Sequence, residues 1–529
     1  MPAAERRELL ALAGFMAVNP SSTTAPNARG NRRQHETETE RLRVLDVFRS
    51  RPVMAVATVS TLAALLEITP KLERFRLLHP VRAEEPEKTA SPLATTTLSV
   101  GEATLSEESH EAAQASLERS LTRPAASPIA KSDETEGNFA DLAAKPPPIP
   151  IEDPSGRALE PFFQRLRVTQ SGSSNAKTRI LHYGDSVVAS DYVSSTLRRR
   201  FQERYGDGGH GFTLIANAWP AYFHEGVSRY ATGGWLISRV VGPLASDGWH
   251  GLGGVSFRAP PNLLTRIGTA KKGEVGRRVS QFELAYVESP EGGTAEVRID
   301  GKPVTVLDTR SEVKRFRTAS FDIPDGEHEF ELQTLKGTSR YFGLVMERHA
   351  PGVVLDALGI QGARIRFLDK QDDEHFKEQL KWRDPALVVY QFGANESADG
   401  YAYSMADYYT TMRAVIEQQR RALPNASCLI VGAMDRASRT GDEIKSLSII
   451  PLIVREQRRV AQDLGCAFFD TFTAMGGNGS MPRWFRRGLG QADLTHPTAV
   501  GAEVLGNWLY RAVMAVAREQ ASAAPKTAP

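Results

Sequence analysis

The chain has 529 residues, 41% of them hydrophobic, and its 65 Lys and Arg against 63 Asp and Glu give a net charge of +2. That length allows two to four domains, and the balanced charge argues against a protein built to bind polyanions. Two cysteines, Cys428 and Cys466, are too few for a disulfide framework; each adjoins an apolar run, which predicts two buried free thiols.

Residues 1–52 are polar and irregular. Residues 53–66 then form an uncharged stretch, preceded by Arg41, Arg43, Arg49 and Arg51. Fourteen residues are short for a membrane span of about 20, so the segment 53–70 reads as a signal sequence or a signal anchor. Either reading carries the rest of the chain to the periplasm or cell envelope, whereas a packed amphipathic helix, the remaining alternative, would not. Leu9 to Val18, after Arg6-Arg7, is a weaker second candidate. Residues 82–150 are rich in Ala, Ser, Thr, Glu and Pro and end in Pro146-Pro147-Pro148-Ile149-Pro150. Such a composition cannot bury a core, and predicts a disordered linker with a root-mean-square reach of roughly 45 Å.

The run Ile180-Leu181-His182-Tyr183 predicts a strand, Gly184-Asp185-Ser186 a break, and Asp191 to Tyr205 a helix. A serine at the carboxyl end of a parallel strand, before a helix N-terminus, is placed to act as a nucleophile. Three residues alone fit better a turn whose Asp and Ser merely cap the helix. The basic tracts Arg198-Arg199-Arg200 and Arg458-Arg459 fall in helical patterns and predict solvated faces. Gly206 to Phe212 follows a helix and lacks the Lys-Ser/Thr ending, which argues against a phosphate loop.

Between 241 and 350 the period becomes two: Gln281–Val287, Ala295–Ile299, Pro303–Leu307, Glu327–Leu332 and Tyr341–Met346 alternate. Asp300-Gly301 marks a hairpin and Asp325-Gly326 introduces another strand. An antiparallel β-sandwich inserted into an α/β domain is predicted, the latter made of 157–240 and 351–517. Trp235 and Trp249 could stack on sugar rings or pack in a core. The insert itself could present a polymer to Ser186 or buttress the fold.

After 351 strands and helices alternate: Leu387–Tyr390, a helix over Asp407 to Leu423, Cys428–Val431, a helix over Ile450 to Leu464, Ala467–Phe469. That rhythm predicts a parallel sheet with helices on both faces. Near the end, Asp493 stands three residues before His496, ahead of a helical run from Thr498 to Ala517. A carboxylate at that offset reaches one imidazole nitrogen and leaves the other for a serine proton. No His/Cys/Asp set has metal-ligand spacing, and no cofactor is implied.

Gly184-Asp185-Ser186, Gly359-Ile360-Gln361-Gly362-Ala363, Phe392-Gly393-Ala394-Asn395-Glu396 and Asp493-Leu494-Thr495-His496 resemble, in order, the four motif blocks of the SGNH or GDSL hydrolases. The resemblance implies a flavodoxin-like α/β sheet, a Ser186–His496–Asp493 triad, and an oxyanion hole of the Ser186 and Gly362 N–H groups with the Asn395 amide. Val187 replaces the usual Leu, and Glu396 replaces the usual Asp. Glu396, and the passage of the helix into Gly206–Phe212, resemble the bacterial envelope branch that removes or transfers acetyl groups on glycans, peptidoglycan O-acetylesterases above all. The resemblance covers about 157–515, and carbohydrate-binding-like inserts occupy the same place in that branch. It implies an O-acetylated glycan as substrate, no nucleic acid, and a membrane contact only through 53–66. The alternatives are a general GDSL carboxylesterase or lipase, which long lid-like apolar stretches would favour, and a non-catalytic glycan-binding protein, which loss of a triad member would mark.

Overall fold

The computed structural model describes residues 148–220, 222–272 and 276–523. The segments 1–52 and 53–70, and almost all of 82–150, lie outside the described residues.

A parallel sheet is built, in chain order, from β1 (Lys177–Gly184), β2 (Gly352–Gly359), β3 (Leu387–Gln391), β4 (Ser427–Val431) and β5 (Ala467–Phe469), lying side by side as β2-β1-β3-β4-β5. Strand side chains alternate between two cores. Leu387, Val389, Leu429 and Val431 face one, while Val388, Tyr390, Cys428 and Ile430 face the other. The first core is covered by α1 (Glu160–Gln170), α2 (Tyr192–Tyr205) and α6 (Ala499–Ala523), through Phe162, Leu197 and Leu505. The second is covered by α3 (Asp373–Arg383), α4 (Met405–Ala422) and α5 (Ile450–Leu464), through Phe376, Met412 and Ile453. Strands buried on both faces need apolar residues on both, which is why Leu387–Tyr390, Cys428–Val431 and Ala467–Phe469 are unbroken apolar runs. Among the described residues no helix is long and apolar enough to cross a membrane.

From β1 the chain passes to β2 on one side, and β3 then takes the other side. That reversal opens a crevice at the carboxyl ends of the strands. Register makes the crevice specific: Gly184, the last residue of β1, pairs with Gly359 at the end of β2 and with Gln391 at the end of β3.

The antiparallel region forms two sheets. One runs Arg315–Gly326, Val279–Glu288, Ser339–Glu347, Val255–Ala259, Leu236–Arg239, with Gly209–Leu214 also paired to Ser339–Glu347. The other runs Val227–Ala231, Leu264–Thr269, Glu329–Lys336, Thr294–Ile299, Lys302–Asp308. Antiparallel strands therefore begin at Gly209, ahead of residue 241. Asp300 and Gly301 both take positive φ, 53° and 73°, as the hairpin signal requires. Phe282 and Phe330, one from each sheet, meet at 5.7 Å.

This sandwich shares the second core of the parallel sheet, Tyr183 and Tyr390 belonging to the same apolar cluster as Phe282 and Phe330. A buried ionic network reinforces the junction. Glu347, at the end of its strand, accepts from Arg179 of β1 at 2.9 and 2.8 Å and from Arg383 of α3 at 2.9 Å. Arg383 also donates to Asp356 of β2 at 2.8 and 3.1 Å, and Asp356 accepts the Phe212 N–H at 2.8 Å. Burial opposes ionisation of Glu347, but Arg383 and Arg179 overcome it and hold the carboxyl at about 2.

Several sequence expectations are corrected. Cys428 and Cys466 are not free thiols: they form a disulfide, with 4.8 Å between Cα atoms. They lie 38 residues apart, and the adjacency of β4 and β5 brings them together. Arg198 is not solvated but buried against Asp191, while Arg199 pairs with Glu225 and Arg200 donates to Asn507. Both tryptophans pack. Trp249 lies flat on His375 at 4.2 Å with the Lys314 ammonium 3.6 Å from its ring centre, and Trp235 meets the rings of Phe257 and Tyr341.

Candidate active site

The nucleophile turn is held at the crevice by its neighbours. A Cβ on Gly184 would stand 2.3 Å from Val188 Cγ2 and 2.7 Å from the Gln391 carbonyl, so a side chain there would block the turn. Asp185 is buried, and its carboxylate accepts the Val187 N–H at 3.0 Å, capping the short helical turn Ser186–Ala189. Burial pushes the Asp185 carboxyl up to about 6. The helix predicted from Asp191 begins at Tyr192. Asp191 takes φ 60°, and its carboxylate binds Arg198 at 2.9 and 3.2 Å and the Glu225 N–H at 2.8 Å instead of capping.

Ser186 Oγ lies 2.7 Å from His496 Nε2, and His496 Nδ1 lies 2.6 Å from Asp493 Oδ2. These residues are 310 apart in sequence, and the fold unites all three. Asp493 also orders its own loop: its other oxygen accepts the N–H groups of Thr495 at 2.9 Å and His496 at 3.0 Å. The Ala437 N–H donates to the Leu494 carbonyl, fastening that loop to the hairpin after β4. With Nδ1–H given to Asp493, Nε2 is left to accept the Ser186 hydroxyl proton.

The electrostatics agree with this tautomer. Burial opposes ionisation of Asp493, yet the His496 and Thr495 donors hold it down at about 2. Burial also disfavours the imidazolium of His496, but its hydrogen bond and attraction to Asp493 win, and the imidazole is raised above its usual range. His182, four residues before the serine, has no such role. It is buried between Gln391 Oε1 and Ser194 Oγ, each at 3.0 Å, and burial lowers it to about 4.

Gly362 and Asn395 stand on the two loops that leave β2 and β3. Gly362 has φ 79°, a conformation that disfavours any side chain, and the space where a Cβ would lie is open. Asn395 Nδ2 donates to the Ala363 carbonyl at 2.9 Å, so the structure brings Asn395 beside the Gly362 turn. An amide carries two N–H donors, and this bond uses one.

Two residues at the rim went unassigned from the sequence. Arg436, beyond β4, donates to the Ala394 carbonyl and Ser397 Oγ at 2.9 Å each, and to Thr495 Oγ1 at 3.0 Å. It therefore ties the Asn395 loop to the His496 loop; its place past the carboxyl end of a parallel strand was the available signal. Glu396 is the other: it is buried, and burial pushes its carboxyl up to about 7.

Residues 325–504 match the model of the GDSL-like lipase/acylhydrolase family, about a third of the chain. The match takes in Gly362, Asn395, Asp493 and His496, while Ser186 lies before it, separated by most of the antiparallel strands. A solved peptidoglycan O-acetylesterase shares the fold, with a TM-score of 0.59 and 22% identity over 70% of this chain and 99% of that one. A family two carbohydrate esterase from Cellvibrio japonicus aligns at a TM-score of 0.22 and 14% identity, over 55% of this chain and 98% of that one. A lipase/acylhydrolase from Enterococcus faecalis gives 0.24 and 19%, over 32% and 77%. Comparison with curated protein sequences finds no match.

Proposed function

We propose that this chain, a carboxylic ester hydrolase of the SGNH/GDSL family, removes O-acetyl groups from a cell-envelope glycan such as peptidoglycan. The observation that carries the chemistry is the unbroken relay from Ser186 Oγ through His496 to Asp493. Ser186 attacks the acetyl carbonyl carbon while His496 Nε2 takes its proton. The oxyanion is held by the Ser186 N–H, the Gly362 N–H and the second Asn395 N–H, each worth about 3 kcal/mol of barrier. His496 then protonates the departing sugar oxygen. Water, activated by the same imidazole, attacks the acetyl-serine and releases acetate.

The choice of substrate is supported by the fold shared with the peptidoglycan O-acetylesterase over 99% of that chain. An extracytoplasmic location is part of the proposal, with the apolar segment 53–66 as export signal or anchor. The Cys428–Cys466 disulfide supports it, because such bonds persist in oxidising compartments. The test is acetate release from O-acetylated peptidoglycan beside hydrolysis of a chromogenic acetyl ester. Wild type should act on both and Ser186→Ala on neither; activity on the small ester alone would leave a general carboxylesterase.

A further inference from the structure

Glu396 is 2% exposed, and its two carboxylate oxygens serve two different loops. Oε1 accepts the Ile365 N–H at 2.9 Å, on the loop that follows β2 and carries Gly362. Oε2 accepts the Gly393 N–H at 3.1 Å, on the loop that follows β3 and carries Asn395. The same loops are joined by the Asn395–Ala363 hydrogen bond and by Arg364, which holds Asp399 at 2.9 and 2.6 Å. We propose that Glu396 is a positioning residue that fixes the separation between the Gly362 N–H and the Asn395 amide, and with it the width of the oxyanion hole. This rests on the reading of those two groups as oxyanion donors.

The two contacts call for a carboxyl of this length, with an accepting oxygen at each end. Both backbone partners are donors, so the bridging group must accept at each end. Gln offers one acceptor and turns its own N–H groups toward the second donor, leaving a buried N–H unpaired and pushing the loops apart. Asp keeps both acceptors but is one methylene shorter and cannot span the same gap. Displacing an oxyanion donor by about 1 Å costs on the order of 10²-fold in rate. Arg364 and Asp399 join the same two loops through their side chains and would keep them together, so the loss should fall on geometry and not on folding.

The experiment is a double-mutant cycle on a chromogenic acetyl ester, with kcat, KM and melting temperature measured for Glu396→Gln, Asn395→Ala and the pair. Glu396→Gln should lower kcat about 10- to 100-fold with KM little changed and cooperative melting retained. In the Asn395→Ala background the same substitution should cost only a few-fold, because the donor it positions is already gone. Equal fold-losses in both backgrounds, or an unchanged kcat in Glu396→Gln, would overturn the proposal. An unchanged kcat in Asn395→Ala would overturn the oxyanion reading beneath it, whatever Glu396→Gln does. Should Glu396→Gln fail to melt cooperatively, Glu396→Asp takes its place in the cycle with the same two outcomes.

Discussion

The catalytic rim and the sandwich junction are held by bonds of opposite kinds. On the rim the two carboxylates beside the triad serine and histidine bind within their own loops: Asp493 holds the N–H and ring of His496, and Asp185 caps the turn of Ser186. At the junction the partners come from four separate elements, Arg179, Glu347, Asp356 and Arg383, and the last three are all but fully buried. Loop residues half open to solvent can be changed with little loss of fold, whereas a buried charge left without its partner cannot. The comparison therefore predicts that activity and stability are separable by site.

The largest effect belongs to the rim. Ser186→Ala and His496→Ala should each lower kcat by about 10⁴- to 10⁶-fold while the melting temperature hardly moves. A variant keeping more than about a tenth of wild-type turnover would break the comparison at its first term. Next comes the junction: Glu347→Gln or Arg383→Met should destabilise by about 3–5 kcal/mol in denaturant unfolding, with turnover per folded molecule intact. Because the folded Glu347 carboxyl lies below its ordinary value, its contribution is complete above about pH 4.5 and is lost as pH falls toward 2. Excising the sandwich should abolish cooperative folding, since its apolar side chains complete the core beneath β1 and β3. A deletion variant that still melted cooperatively would show that the two regions are independent after all.

Smaller effects sharpen the rim itself. Asn395→Ala should cost about 10²- to 10³-fold in kcat with KM little changed, read by steady-state kinetics. The acid limb of kcat/KM should lie above the ordinary imidazole value of 6.5, since His496 is raised in the free enzyme. Arg436 opposes that shift, so Arg436→Met should move the limb higher still, while Arg436→Lys, which keeps the charge, should not.

The active-site sheet was largely legible because its signals are local. Apolar runs gave β1, β3, β4 and β5, and each site residue follows a strand end or precedes the last helix. The junction was not legible, since nothing in the sequence around Glu347 announces Arg179, 168 residues away. The same holds for Cys428 and Cys466, whose pairing depends on strand order. Strands such as Val227–Ala231 and Leu236–Arg239 are short, and apart from Val227 all their residues are at least partly exposed, so they carry no clear alternation. Glu396 was visible as a departure from the family pattern, but its two backbone partners exist only once β2 and β3 are in place.

The most direct test of the account is to find where the acetyl group rests during turnover. Wild-type protein, quenched in acid while turning over O-acetylated peptidoglycan, should yield by peptide mass spectrometry one acetyl group on Ser186, absent from the Ser186→Ala variant. Acetyl on another residue, or equal acetate release by Ser186→Ala, would contradict it.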